Sequence, residues 1–207
     1  MKDIKKMVLT PIEDLIEEDF GKIGTPQRDA FEMECDPRLT LAEAAARAEA
    51  EQAGQTPEDA ARQVLATLFG TTQFSVGLAW TPKNHKAMMA HWIRFVSDHA
   101  DALRRGPFHP QHPEANYPVL TGESEGETVS VSYSPDFSVR IPADGRRHYV
   151  VNATGGDTVV VECEAEGKAV LRDTLGSVRD ERSVVVGLHR MSIPSCGYLE
   201  FQPTHRK

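Results

Sequence analysis

Five histidines form the densest group of potential metal ligands or general bases in the chain. They lie within 28 residues, at His85, His91, His99, His109 and His112. On a helix His85 and His99 would share a face, but at about 1.5 Å per residue they are about 21 Å apart, too far for one metal ion. His109 and His112 are closer, yet Glu114 is their only neighbouring carboxylate. We therefore favour packing and hydrogen bonding over a metal site.

Other residues that could carry chemistry give weaker signals. Asp98 and Asp101 have i,i+3 spacing, which is typical of the solvated face of a helix. Cys35, Cys163 and Cys196 are odd in number and form no C-x-x-C pair, so free or buried thiols are favoured over a disulfide or zinc site. The sequence predicts no catalytic residue, no metal ligand and no cofactor.

The net charge of −8 over 207 residues lies entirely in the N-terminal part. Residues 1–60 hold fifteen acids and seven Lys or Arg, a balance of −8, and the rest is neutral with sixteen of each. An acidic segment repels phosphate backbones and anionic lipid, so we expect neither nucleic-acid nor membrane binding. No run approaches the roughly 20 apolar residues of a membrane span, and no secretory signal is evident, which predicts a cytoplasmic protein.

One helix is predicted over residues 82–105. Thr81 is placed to cap it, Pro82 suits its first position, and Gly106-Pro107 ends it after Arg104 and Arg105. Its wide apolar face comprises Met89, Trp92, Ile93, Phe95, Val96, Ala100 and Leu103.

The segment before this helix reads as further helices and one short strand. Three helix candidates lie at residues 10–20, 25–31 and 39–54. A more strongly predicted helix begins at Thr56-Pro57, and its stripe of apolar side chains ends at Phe69, before Gly70. Residues 72–76 alternate like a strand. One strand cannot satisfy both of its edges, so this α/β unit needs more sheet than the segment contains.

From Tyr117 onward the apolar period changes to two, which predicts an antiparallel β-sandwich or barrel. The fold class is therefore α+β, with N-terminal helices and one barrel-like strand–helix unit before the sandwich. We expect one face of a typical strand to be buried and the other to be solvent-exposed. In residues 129–132, Val129 and Val131 would be on the buried face and Ser130 and Ser132 on the exposed face. The strand candidates are 128–133, 137–141, 148–151, 158–161, 169–171, 183–186 and 198–201.

Residues 56–207 resemble the C-terminal end of α-galactosidase-type (melibiase) glycoside hydrolases. The resemblance is carried by PEDAARQVLATLFGTTQFSV, by WIRFVSDHADALRRGPFHPQHPEANYPVL, and by GES with the strand VSVSY. It implies that residues 56–115 form the end of a (β/α)8 barrel and residues 116–207 a β-sandwich, after a helical leader at 1–55. It also implies that the catalytic carboxylates lie upstream of the matched region, so this chain alone is expected to be inactive.

Trp80 is the one substrate-binding residue that the resemblance suggests. It stands where the last barrel strand would end, on the side of the barrel that faces the substrate, and aromatic rings stack on sugars. The expected partners are an α-galactoside or other carbohydrate and a protein that completes the barrel. A plain rim or core tryptophan is the alternative.

Two further functions remain open. The chain could be a stand-alone carbohydrate-binding or interaction module. Residues 1–34, around GKIGTPQRDAFE, also resemble the leader of helix-turn-helix antitoxin-type regulators, but no basic recognition helix follows. An antitoxin-like regulator that holds a partner through this leader is therefore the third hypothesis.

Overall fold

The computed structural model describes residues 22, 25, 26, 56–70 and 81–204. The chain divides into two compact units, 1–48 and 49–207. The described part of the second unit begins with helices α1 (Pro57–Ala66) and α2 (Lys83–Asp98), a π-helical turn (Asp101–Arg105) and, later, a 3-10 turn (Pro113–Ala115). Its strands are β1 (Phe108–Gln111), β2 (Val119–Glu123), β3 (Glu127–Ser132), β4 (Val139–Ile141), β5 (Arg147–Asn152), β6 (Val159–Cys163), β7 (Gly167–Arg172), β8 (Val178–Val184), β9 (Gly187–Met191) and β10 (Tyr198–Pro203).

Helix α1 begins with the predicted cap. The Asp59 backbone N–H donates to Thr56 Oγ1 at 3.2 Å, and the Thr56 N–H donates to Asp59 Oδ2 at 3.1 Å, which completes a reciprocal capping box. The side chains at helical spacing then turn inward, with Ala61, Val64, Leu65 and Leu68 buried. This helix confirms what the sequence predicts.

Helix α2 differs from its prediction at both ends. Thr81 is buried and does not cap it; the N-cap is Pro82, which has no hydroxyl to donate or accept. The regular helix ends at Asp98, and the chain then widens into the π-helical turn, which closes where the Gly106 N–H reaches the Asp101 carbonyl at 2.8 Å. The apolar face is also narrower than predicted, because Ile93 is 53% exposed.

The strands form two sheets. The large sheet has the order β1-β2-β3-β5-β10-β7-β8, and the small one has the order β4-β6-β9. All neighbours are antiparallel except β3 with β5 and β4 with β6, which run parallel. Strands β1, β2 and β9 were not predicted, and β8 ends at Val184, so the expected strand at 183–186 was placed too late along the chain.

The large sheet is covered on both faces. Val129, Val131, Tyr149, Val151 and Tyr198 pack with α1 and α2 in one core. A second core on the opposite face joins the large sheet to the small one, through side chains such as Val150, Leu199, Val161 and Met191.

The expectation that Ser130 and Ser132 would be solvent-exposed is wrong, because both faces of the sheet are covered. Their relative exposures are 3% and 0%. Ser130 Oγ satisfies its hydrogen bonding with Thr121 Oγ1 at 2.9 Å, and Ser132 Oγ donates to the Ser134 carbonyl at 3.1 Å. Buried hydroxyls with partners are compatible with a strand that has no solvent face.

The fold is α+β, with few helices followed by a sandwich of a seven-stranded and a three-stranded sheet. β1 lies before residue 116 and pairs with β2, so the large sheet begins inside the segment assigned to the barrel remnant. The division into 1–55, 56–115 and 116–207 stays a prediction. The expected strand at 72–76 and helices at 10–20, 25–31 and 39–54 lie outside the described residues, apart from residues 25 and 26. None of the described helices is long and apolar enough to cross a membrane.

Candidate interaction surface

An aromatic layer fixes α2 to the large sheet. The ring centroid of Phe95 lies 5.1 Å from that of Tyr198 and 6.0 Å from that of Tyr149, and the Trp92 centroid lies 6.1 Å from Tyr198. Trp92 is fully buried, and its Nε1 donates to Thr174 Oγ1 at 3.5 Å. Tilted and edge-on contacts of this kind add to the burial of apolar area. The sheet partners Tyr149 and Tyr198 were not singled out from the sequence.

Two hydrogen bonds tie α1 to the same sheet. Tyr133, directly after β3, donates its hydroxyl to the Leu65 carbonyl at 2.9 Å. Cys196 donates its thiol to the Glu58 carbonyl at 3.2 Å. The carbonyls of Glu58 and Leu65 lie near opposite ends of α1, so both ends of this helix are held.

His91 lies in the aromatic layer as a neutral ring. It stacks on Tyr198 with centroids 5.8 Å apart and planes 11° apart, and its Nε2 is buried without a hydrogen-bond partner. Burial lowers the pKa of His91, as do Arg172 and Arg94, while Asp173 opposes the change. A buried nitrogen with no acceptor favours the uncharged imidazole.

The other four histidines are dispersed. Nδ1 of His99 lies 3.0 Å from both carboxylate oxygens of Glu127. His109 and His112 lie 3.5 Å from Glu123 and 3.2 Å from Glu114, and His85 is buried with an unpartnered Nε2. Residues 56–70 and 81–204 contain no group of three or more His, Cys, Asp or Glu side chains arranged to hold a metal ion.

Two carboxylates that converge, those of Glu123 and Asp144, are neutralised by one arginine. Arg146 contacts Glu123 at 2.8 Å and Asp144 at 2.7 Å, and Asp144 also lies 3.0 Å from Nε2 of the buried His148. Burial raises the pKa of Asp144, but hydrogen bonds from Arg146 and the charges of His148 and Arg146 outweigh it, so the pKa is lowered overall. A carboxyl with a lowered pKa is ionised near neutral pH and is a poor general acid.

Asp98 and Asp101 lie where the sequence predicts, on the exposed side of the α2 region. Asp101 pairs with Arg105 at 2.7 Å, an exposed i,i+4 contact. Cys163 and Cys196 are buried free thiols, and burial raises the pKa of Cys163 to about 11, which makes it unreactive near neutral pH. Cys35 lies outside the described residues.

The flank of α2 away from the sheet borders an open groove of about 590 Å³. Its lining includes Val64 of α1, Ile93 and Val96 of α2, and the charged side chains of Asp98, Asp101, Arg104 and Arg105. Ile93 is the exposed large apolar side chain of α2. Its neighbours Ala90 and Ser97, at i−3 and i+4, are the sequence signal that this flank differs from the core face.

Comparisons with known protein families, characterised proteins and solved structures gave no match. Trp80 and residues 1–34 lie outside the described residues, apart from residues 22, 25 and 26 of the leader. The sugar-stacking role of Trp80 and the antitoxin-like role of the leader therefore stay predictions.

Proposed function

We propose that the chain is the C-terminal part of an α-galactosidase-type glycoside hydrolase, in which the sandwich supports a catalytic barrel. The observation that carries the proposal is the asymmetry of α2. One face of this helix is fixed to the sheet by the contacts of Trp92 and Phe95 with Tyr198, while Ile93 on its flank is exposed beside an open groove. An outer helix of a barrel needs neighbours along its flanks, and an isolated sandwich does not need such a helix.

The chain alone is proposed to be inactive. Retaining hydrolysis needs two carboxylates about 5–5.5 Å apart on either side of the glycosidic bond, one as nucleophile and one as acid. Within residues 56–70 and 81–204, Glu123 and Asp144 share a partner, and both are hydrogen-bonded to Arg146. The proposed partners are a protein segment that completes the barrel and an α-galactoside, and the proposed location is the cytoplasm.

An assay of the purified chain with an aryl α-galactoside tests its lack of activity. We expect no release of the phenol above the rate in buffer. Turnover that falls in Asp98→Asn or Asp101→Asn would refute the proposal, because a contaminating glycosidase would not respond to substitutions in this chain.

Carbohydrate binding without hydrolysis is the second candidate. Phe108 and Tyr117 are 50% and 46% exposed, and exposed rings provide stacking surfaces for sugars. Calorimetric titration with methyl α-galactoside distinguishes the candidates. Binding at millimolar sugar that is lost in Tyr117→Ala would favour this module over a supporting role.

A further inference from the structure

A polar pocket lies where three neighbouring strands of the large sheet meet. Its volume of about 430 Å³ falls within the range of about 300–1,000 Å³ that pockets for small ligands occupy. Strands β3 and β5 run parallel and begin at Glu127 and Arg147, while β10 runs antiparallel to β5 and ends at Pro203. The strand ends therefore bring together side chains from distant parts of the sequence.

Hydrogen-bond donors and acceptors both line this pocket. The lining contains three carboxylates, a guanidinium, an amide and a hydroxyl, from Asp98, Asp101, Glu127, Arg147, Gln202 and Ser124. Asp98 ends α2 and Asp101 begins the π-helical turn, a kind of element that is frequent at functional sites. A carboxylate only accepts hydrogen bonds, a guanidinium only donates them, and an amide or a hydroxyl does both. The pocket therefore offers both kinds of group to one ligand.

Glu127 is held in one orientation by its neighbours. Nδ1 of His99 lies 3.0 Å from both carboxylate oxygens of Glu127, and the imidazole N–H donates because a carboxylate only accepts. The side chains of His99 and Glu127 are 12% and 20% exposed. The His99 ring contacts two further rings, with centroids 4.4 Å from Phe95 and 4.2 Å from Tyr149. A partly buried acceptor with a fixed orientation loses little entropy when a ligand binds.

The charges at the pocket are largely paired within the protein. Asp101 pairs with Arg105 at 2.7 Å, and Arg147 lies 4.0 Å from Glu200. A ligand with a strong charge of its own is therefore not needed to balance the site. An apolar ligand would find little surface, because Pro203 supplies the apolar part of the lining. In the described part of the chain, no three His, Cys, Asp or Glu side chains are arranged to hold a metal ion.

We propose that this pocket binds a neutral saccharide, with Glu127 as acceptor and Arg147 as donor for hydroxyls of one sugar ring. Each sugar hydroxyl can donate and accept, so a saccharide satisfies both kinds of group in the lining at once. The inference rests on the second candidate function, carbohydrate binding, and names a site for it other than the exposed rings of Phe108 and Tyr117. It does not depend on the support of a barrel.

Saturation-transfer NMR on the full chain tests the class of ligand. The probes are the methyl α-glycosides of galactose, glucose and mannose at millimolar concentration, with spermidine as the cation and inorganic phosphate as the anion. We expect transfer to at least one glycoside, and added salt should leave this binding unchanged, because screening acts on charges. Absence of transfer to all three glycosides, or tighter binding of spermidine or phosphate, would overturn the inference.

Variants of the chain locate the site. Glu127→Gln keeps an oxygen that accepts from His99 and removes the charge, so it should weaken the bound glycoside about tenfold or more, the effect of one hydrogen bond to a charged group. Arg147→Met removes the donors and should cause a similar loss. Glu181→Gln is the matched control without effect, because that carboxylate lies on β8, 2.6 Å from Lys168 Nζ and outside the pocket. Thermal unfolding checks that the variants fold.

The variants also separate this site from the broader candidate function. Unchanged glycoside affinity in Glu127→Gln or in Arg147→Met would overturn the site. If Tyr117→Ala abolishes binding in that case, carbohydrate binding still stands and the sugar is assigned to the exposed tyrosine. The support of a barrel is measured separately, by turnover, so it can fail or succeed independently of these titrations.

Discussion

Trp92 joins two structural layers through a single side chain. Its ring is fully buried between Phe95 and Tyr198, and its indole N–H reaches Thr174 in the segment after β7. Large buried aromatic side chains contribute most to packing where they meet partners from separate elements. The side chain of Ile93, the next residue, contributes little to that packing because it is 53% exposed.

Replacement of Trp92 by Ala should cost about 3–5 kcal/mol of unfolding free energy, since it leaves a large cavity in the aromatic layer. Ile93→Ala is the control on the same helix and should stay within about 0.5 kcal/mol. Urea unfolding followed by far-ultraviolet circular dichroism measures both. A loss below about 1 kcal/mol for Trp92→Ala would mean that α2 is not packed on the sheet.

His91 should make stability depend on pH. Its pKa in the folded protein lies below the usual 6.5, mainly because of burial, so the unfolded chain binds more protons between the two values. The contribution of His91 is therefore complete above about pH 6.5 and is lost as the pH falls below it. Burial also lowers the pKa of His148, which acts in the same direction.

The variant His91→Phe keeps the ring on Tyr198 and removes the titrating group. Unfolding free energies at pH 7.5 and pH 5.5 should differ less in this variant than in the parent chain, and the dependence that remains belongs in part to His148. An identical pH dependence in both proteins would show that His91 is not held neutral. Urea titrations at the two pH values provide the comparison.

At the residue scale, the sequence predicts the core side of α2 well and its edges poorly. Trp92, Phe95 and Val96 follow from helical spacing. The exposure of Ile93 does not follow from helical spacing. A residue on the border of an apolar face is buried or exposed according to how far the neighbouring elements extend over it. The failure of Thr81 as a cap has a similar cause, since tertiary contacts bury its side chain.

At the scale of elements, the π-helical turn and β2 approach each other closely at a glycine. A Cβ at Gly122 would lie 2.2 Å from the Ala102 carbonyl oxygen and 2.9 Å from Phe69 Cε1. The first contact is with backbone and cannot be relieved by a rotamer change. Gly122 therefore allows the turn after α2 to lie against the sheet.

Gly122→Ala should destabilise the protein by about 1–3 kcal/mol through overpacking of this contact. Gly126→Ala, in the connection between β2 and β3, is the matched control, because no atom lies within 4 Å of the Cβ position there. Thermal unfolding of the two variants measures the difference. Equal melting temperatures would contradict the close packing of the turn on β2.

β1, which was not predicted, and β8, which was predicted too late along the chain, are the two edge strands of the large sheet. β1 contains Pro110 and lies at the edge of the large sheet, where a missing N–H is tolerated. β8, at the other edge, is mostly charged, and charges protect an edge from further pairing. The apolar run that suggested a strand at 183–186 includes Val185 and Val186, which are 60% and 58% exposed in the turn after β8.

At the scale of the whole unit, three layers follow one another: the two helices, the seven-stranded sheet and the three-stranded sheet. Period-two patterns predict a sandwich. They do not indicate which strands are covered on their second face by a further layer of structure. Ser130 and Ser132 show this limit. Polar residues at alternate positions are predicted from the sequence to be solvent-exposed, and in the structure these two are buried. The open groove beside α2 could not be predicted from the sequence either. Its existence depends on which elements pack against the flank of the helix.

The support of a catalytic barrel is tested most directly by a chimera. Residues 56–207 replace the last barrel strand, the last helix and the sandwich of an α-galactosidase-type hydrolase, and turnover of an aryl α-galactoside is compared with that of the truncated barrel alone. We predict that the chimera recovers turnover, that Ile93→Glu lowers it at least tenfold, and that Leu188→Glu leaves it unchanged. A chimera that is no more active than the truncated barrel would contradict the proposed function.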